Sequence, residues 1–413
     1  MSVVSRHYVL AAGGTGGHLI PAFALAVELE RRGHHVALVT DDRGAKIPGK
    51  PDFLPAHVLP AGRMTKNPLG WWKAIRSILQ GRAMALRLFD SFEPSCVIGF
   101  GGYPALPALL AARAAKVPTV IHEQNAVLGR VNRFLAQRVD AIATAYGDVE
   151  RLDPKLWGKV HRVGNPVRPE VLALRGQAFP EFTEDSLFRV LVTGGSQGAS
   201  ILSEVVPDAL AMLPPALRHR LQVTQQCRAE DLEMVRARYA KHEIPAELGT
   251  YFEDMQARLA GTHLFIGRAG ASTIAELTAV GRPAILIPLP GATDDHQTAN
   301  TREIVTAGGA RAIRQPAATV VDPDAYSGDR RNAIMSERAD HIQKLSKDIC
   351  VQIQAIAQHP QALANAAHAA WNCGLPNAVS DLADLVESFG AEPIMDIIQV
   401  EARAPVGVQG QLA

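Results

Sequence analysis

The stretch Val9-Leu10-Ala11-Ala12-Gly13-Gly14-Thr15-Gly16-Gly17-His18 decides the architecture. A short apolar run ends in glycines, a hydroxyl residue and one histidine, and apolar residues then recur at three- and four-residue spacing from Ala22 to Arg32. That is a buried strand, a tight turn and the start of a helix. Glycine permits positive φ and leaves backbone N–H groups bare, and at a helix N-terminus such groups favour phosphate or another oxyanion. The pattern returns at Val190-Leu191-Val192-Thr193-Gly194-Gly195-Ser196-Gln197-Gly198, with Gly194 matching Gly13, Ser196 matching Thr15 and Gly198 matching Gly17. Two halves that open alike predict an α/β chain of two Rossmann-like domains facing one cleft, outside the carboxyl ends of their strands. Such a cleft suits a nucleotide-linked substrate. Two tight turns without a ligand leave the same local pattern, so the reading rests on the repeat.

The 413 residues suit two or three domains, and 47% hydrophobic with 20% charged residues is the composition of a globular chain with a full core. A net charge of +1 supplies no global field for nucleic acid. Cys96, Cys227, Cys350 and Cys373 are scattered without C-x-x-C spacing, which fits idle thiols in a reducing compartment better than a metal site. Neither a signal-peptide pattern nor a run of about twenty apolar residues occurs, so the expectation is a cytoplasmic chain able to touch a membrane surface.

Val36 to Thr40 completes a β-α-β unit, and an acid of Asp41-Asp42-Arg43-Gly44 after it could hold a ribose; the glycine spacing is not G-x-G-x-x-G, which argues against NAD. From Leu69 to Phe92, Lys73, Arg76, Arg82 and Arg87 interleave with Trp71, Trp72, Ile75, Ile78, Leu79, Met84 and Leu88. Two readings fit: an interfacial helix on an anionic membrane surface, or a core helix with a solvated basic face. One helix can do both on different faces. Val117 to Ile121 delivers His122-Glu123-Gln124-Asn125 to the carboxyl end of a strand, where α/β sheets keep their chemistry; hydrogen bonding to neighbouring loops is the structural alternative. Asn132, Arg133 and Arg138 read as the polar face of the next helix. In the second half, Arg268-Ala269-Gly270-Ala271-Ser272-Thr273 forms a third nest before a helix, and Glu276 can reach a ribose diol or offset the helix dipole. Asp294, Asp295 and His296 are adjacent on a helix, so their side chains diverge and no metal site is expected.

Taken in order, Gly13 to His18, Gly101-Gly102-Tyr103, His122 to Asn125, Gly164-Asn165-Pro166-Val167-Arg168, Gly194 to Ala199, Arg268 to Glu276 and Asp295 to Asn300 resemble the signature set of the MurG family. These are bacterial transferases that add N-acetylglucosamine to undecaprenyl-pyrophosphoryl-muramyl-pentapeptide, turning lipid I into lipid II. The resemblance spans about residues 6–315, with a weaker match near 351–390. It implies a GT-B fold and inverting transfer from UDP-α-N-acetylglucosamine to the 4-hydroxyl of the muramyl sugar, with no metal and no cofactor. By carry-over, Thr15, Gly16, Gly17, Asn125, Arg168, Ser196, Ala271, Ser272, Glu276 and Gln297 line the donor site, with Glu276 on the ribose and Gln297 on the sugar hydroxyls. The implied setting is peripheral, on the cytoplasmic face of the bacterial inner membrane. The implied partners are lipid I, an anionic membrane surface met through Leu69 to Phe92, and cell-wall assembly proteins.

A one-step displacement needs a base and fixed donors for the departing UDP. His18, of ordinary pKa about 6.5, is the candidate base; a histidine that only hydrogen-bonds the turn or the acceptor is the alternative. Ser196 with the amides of Gly194, Gly195 and Gln197 forms the expected diphosphate cradle, with Arg168 or Arg268 adding positive charge. The expected layout is an acceptor-side domain over 1–165, a linker over 166–187 and a UDP-sugar domain over 188–375. Residues 323–350 look like an insertion that forms a solvated excursion, 376–390 a closing helix on the first domain, and 391–413 a tail. Two other classes compete: a UDP-N-acetylglucosamine epimerase of the same fold, and a non-catalytic nucleotide-sugar-binding scaffold at the membrane. The basic tryptophan helix counts against the first, and the full set of cleft motifs against the second.

Overall fold

The computed structural model of the protein describes residues 5–62, 68–195, 198–322, 325–357 and 359–389. The first sheet is built from β1 (His7–Ala11), β2 (His35–Thr40), β3 (Ala56–Val58), β4 (Cys96–Gly99), β5 (Thr119–Glu123), β6 (Ala141–Thr144) and β7 (Val160–Arg162). All pairs are parallel, in the order β3-β2-β1-β4-β5-β6-β7. The second sheet holds β8 (Phe188–Thr193), β9 (Leu221–Gln226), β10 (Ala246–Gly249), β11 (Leu264–Gly267), β12 (Ala284–Leu286) and β13 (Ala310–Ala312), parallel in the order β10-β9-β8-β11-β12-β13. In each sheet the order reverses beside the strand that carries the glycine turn, which is where open α/β sheets form their crevice.

The strands are continuous apolar runs because both faces are covered. Val9, Ala11, Val39, Val97 and Ile121 pack with Ala85, Phe89 and Leu109 on one face of the first sheet. Tyr8, Leu10, Leu38, Ile98 and Val120 pack with Leu19 and Leu25 of α1 (Gly16–Arg31) on the other. Leu382, Ala383 and Val386 of the chain's last described helix, Ala378–Phe389, complete that second face. Arg32 and His34 hold it there through Glu387, at 2.7 Å each. The returning segment passes Gly164, whose φ is +93° and where a Cβ would lie 2.9 Å from both Leu375 and Ala378. Only glycine fits that crossing.

α2 (Pro68–Phe92) buries Ala74, Ile78, Ala85 and Phe89 and leaves Ile75, Leu79 and Trp72 exposed, the last at 75%. It is a core helix with a second, apolar and basic, outer face. The side chain of Trp71 lies outside the described residues.

Two sequence expectations are corrected. Residues 166–187 are not a free linker, because Val167 and Val171 join one core of the second domain and Phe182 the other. Nor is 323–350 a solvated excursion throughout. Gly328–Ala357 is one helix, and Leu345, Ile349, Ile353 and Ile356 are buried in the same cluster as Val205 and Leu210 of the Ser200–Ala211 helix. The stripe has helical spacing, but Lys344, Lys347 and Asp348 on the opposite face dilute it in the sequence. Pro323 and Asp324, like the tail from Gly390, lie outside the described residues.

Candidate active site

The turn after β1 leads into α1, whose N-cap, Thr15, makes no side-chain capping bond. The helix N-terminus therefore presents bare N–H groups and the positive end of its dipole. Asp41 Oδ1 accepts the N–H groups of Gly14 at 3.0 Å and Gly44 at 2.9 Å, and Arg43 lies 3.4 Å from Oδ2. That carboxylate staples β2 to the turn, so its expected availability to a ribose is corrected.

His18 lies one turn into α1. Its Nδ1 is 3.0 Å from the Gly13 carbonyl, which can only accept, so Nδ1 carries the proton and Nε2 is left with its lone pair. Nε2 sits 3.4 Å from where a Cβ at Gly101 would be; Gly101 has φ +90° and no side chain to cover the ring. Burial lowers the proton affinity of His18, opposed by the Gly13 hydrogen bond and the Glu123 charge. The ring is thus held neutral, in the tautomer that can take a proton.

The polar cluster at the end of β5 divides in two. His122 is fully buried; Nε2 donates to Gly164 O at 2.9 Å and Nδ1 accepts from Gln124 at 3.1 Å. Burial lowers its pKa to about 4, so it is a neutral tie between sheet and hinge. Glu123, 2% exposed, accepts the Asn125 N–H at 3.1 Å and side-chain amide at 3.3 Å on one oxygen, and Gly129 N–H at 2.8 Å and Asn132 at 2.9 Å on the other. Asn132 is itself 2% exposed, a correction to the polar-face reading. Asn125 alone among the four reaches across the cleft, to Asn300 Nδ2 at 3.1 Å.

On the opposite side, the Ala271–Val280 helix also starts without a side-chain cap, at Gly270, and lies against α1. Ser272 Oγ is buried there with no hydrogen-bond partner. Arg168 donates to Glu276 Oε1 from Nη2 at 2.9 Å and Nε at 3.3 Å. Both bonds fall on one oxygen, which leaves Oε2 for a diol. Burial raises the pKa of Glu276 and Arg168 opposes it. Gln297 accepts the Leu289 N–H at 2.9 Å, which orients its amide. The expected choice between Arg168 and Arg268 resolves by burial. Arg268, 8% exposed and lowered to about 10 by desolvation, is committed to Ile287 O, Pro288 O and Gln315, so its part in the cradle is corrected. Ser196 and Gln197 lie outside the described residues. Asp294 pairs with Arg133 and Arg151, and no cluster of three or more potential metal ligands occurs among the described residues.

The sequence marks Asn300 only as the end of the Asp295 to Asn300 stretch, with no role of its own, and gives Asn132 no place in the site. Asn300 meets Asn125, Ala126 and Ala269, and Asn132 meets His122 and Glu123; only the second set is close enough in sequence to leave a local trace.

Residues 8–144 match the family model described as the glycosyltransferase family 28 N-terminal domain, and 189–323 the family 28 C-terminal domain. A protein of Novosphingobium aromaticivorans named UDP-N-acetylglucosamine--N-acetylmuramyl-(pentapeptide) pyrophosphoryl-undecaprenol N-acetylglucosamine transferase is 81% identical, covering 97% of this chain and 97% of its own. A protein of the same name from Erythrobacter litoralis is 67% identical, covering 97% and 94%. The crystal structure of Acinetobacter baumannii MurG is 27% identical with a TM-score of 0.70, covering 93% of this chain and 99% of that one. A UDP-GlcNAc 2-epimerase from Neisseria meningitidis, 13% identical with a TM-score of 0.61 and coverage of 93% and 100%, shares the fold.

Proposed function

The chain belongs to glycosyltransferase family 28, has the GT-B fold and is a hexosyltransferase, and from that premise we propose that it moves N-acetylglucosamine from UDP-N-acetylglucosamine to the 4-hydroxyl of lipid I, giving lipid II. The observation that carries the mechanism is His18. With its proton held on Nδ1 by Gly13 O, Nε2 takes the proton of the acceptor hydroxyl as the oxygen attacks the anomeric carbon. The bond to UDP breaks on the opposite face, so configuration inverts. Negative charge growing on the diphosphate meets the uncapped N-termini at Gly16 and Ala271, which act as preorganised donors; the Gly195 N–H of the second glycine turn is taken by Thr193 Oγ1 at 3.1 Å. Glu276 Oε2 takes the ribose diol, with Arg168 fixing the carboxylate, the turn with Ala271 and Ser272 lines the uridine side, and Gln297 meets the sugar hydroxyls, with Asn125 on the same donor site.

The acceptor's prenyl chain lies in a membrane, and the outer face of α2 supplies the means to meet it. Trp72, Ile75 and Leu79 enter the headgroup boundary while Lys73 and Arg76 meet anionic lipid. No helix among the described residues is long and apolar enough to cross a membrane; the proposed association is peripheral, on the cytoplasmic face of the inner membrane. Contacts with cell-wall assembly proteins belong to the same proposal. The test is transfer of labelled N-acetylglucosamine to a short-chain lipid I analogue with and without chelator. Product in chelator supports the reading; intact UDP-sugar binding with no product, or epimerised donor instead, refutes it.

A further inference from the structure

Polar crossings between the two domains gather on the short segment from Asp294 to Glu303. Asp294 pairs with Arg133 at 3.1 Å and Arg151 at 2.7 Å, Arg302 with Glu150, and Glu303 with Arg162 at 2.9 Å. Most of these side chains are partly exposed, and ion pairs open to solvent hold weakly and fade with salt. Asn300, in the middle of the segment, is different: it is fully buried, and both N–H donors and the oxygen of its amide are engaged. Oδ1 accepts the Ala126 N–H at 2.8 Å, and Nδ2 donates to Asn125 Oδ1 at 3.1 Å and Ala269 O at 3.2 Å.

Those partners lie on opposite sides of the cleft. Asn125 and Ala126 begin the loop that Glu123 holds, and Asn132, bonded to the same carboxylate, lies with His18 against Gly101. Ala269 belongs to the turn that ends at Gly270 and sets the start of the Ala271–Val280 helix. Gln297 stands on the same helix as Asn300, one turn earlier. We infer that Asn300 is a positioning residue that fixes the base side of the cleft against the nucleotide side, so that ordering of one by the donor is transmitted to the other. An amide suits the task because it donates and accepts at once without charge, so its bonds are not screened by salt. Aspartate would keep the Ala126 bond and lose both donors; leucine of similar size would lose all of them.

The inference rests on the transferase reading, and the test separates the two. Asn300→Leu and Asn300→Asp are compared with wild type in kcat, donor KM, UDP affinity by calorimetry, and hydrogen exchange of residues 125–129 with and without UDP-N-acetylglucosamine. The expected result is a kcat lower by about 100-fold, the cost of a small misplacement, with UDP affinity little changed. Donor binding protects residues 125–129 in wild type and ceases to do so in both variants. Protection of residues 125–129 left intact in both variants would mean that the donor's own contact with Asn125 orders the loop without Asn300, which overturns the inference, as does a wild type in which the donor gives those residues no protection. If Asn300→Leu fails to fold, Asn300→Asp and the wild-type exchange decide. A wild type that makes no lipid-linked product refutes the transferase reading instead, and the exchange comparison still judges Asn300.

Discussion

Replacing Glu276 by alanine removes a carboxylate on the nucleotide side of the cleft that has an oxygen to spare. Arg168 occupies Oε1 with both of its bonds, so a ribose diol has Oε2. Hydrogen bonds to a charged group are worth about 1.5–3 kcal/mol net, so loss of the diol contact weakens UDP-sugar affinity by about 10- to 150-fold. Stability is expected to change little, because the Arg168 side chain is 40% exposed and stays hydrated once its partner is gone. The loss falls on binding, since the ribose does not change charge in the reaction; donor KM rises with kcat nearly constant. Glu276→Gln, which keeps an acceptor and loses the charge, falls between. Calorimetric titration of UDP into wild type and both variants, beside steady-state kinetics, is the assay. An unchanged affinity in Glu276→Ala would place the ribose elsewhere and refute the assignment.

His18→Ala is expected to lower kcat by about 100-fold or more with UDP affinity preserved; equal turnover at saturating substrates removes the base assignment. Because burial lowers the pKa of His18 and only the neutral ring accepts a proton, the acid limb of kcat/KM lies below about 6.5 and is lost as pH falls through the lowered value. A pH–rate profile with its acid limb above that value contradicts the environment described. Trp72→Ser combined with Leu79→Ser should reduce sedimentation with anionic vesicles at unchanged Tm, since both side chains are exposed; unchanged vesicle binding takes the membrane role away from α2. Ile349→Ala should cost about 2–5 kcal/mol in urea unfolding and the neighbouring Lys347→Ala less than about 0.5 kcal/mol. Equal small costs would return that helix to the surface.

The β1 and β8 turns, the alternation of strand and helix and the order of the motifs were legible in the amino-acid sequence because each is local. A glycine that needs positive φ, or an apolar run buried on both faces, leaves its mark on consecutive residues. The candidate site was legible to the same extent: His18, the Ala271–Val280 helix start and Glu276 sit at turns the sequence marks. What only the tertiary structure decided is which polar groups remain for a ligand once the protein's own demands are met. Asp41, Glu123, His122 and Arg268 look as reactive in sequence as Glu276 does, yet all four are filled by bonds within the fold. Arg168 meets Glu276, and Asn300 meets Asn125, across more than a hundred residues. The Leu345 to Ile356 stripe was hidden by the charges of its outer face. Burial and hydrogen-bond satisfaction depend on where a side chain points after the chain has folded, and no local pattern encodes that direction between segments so distant.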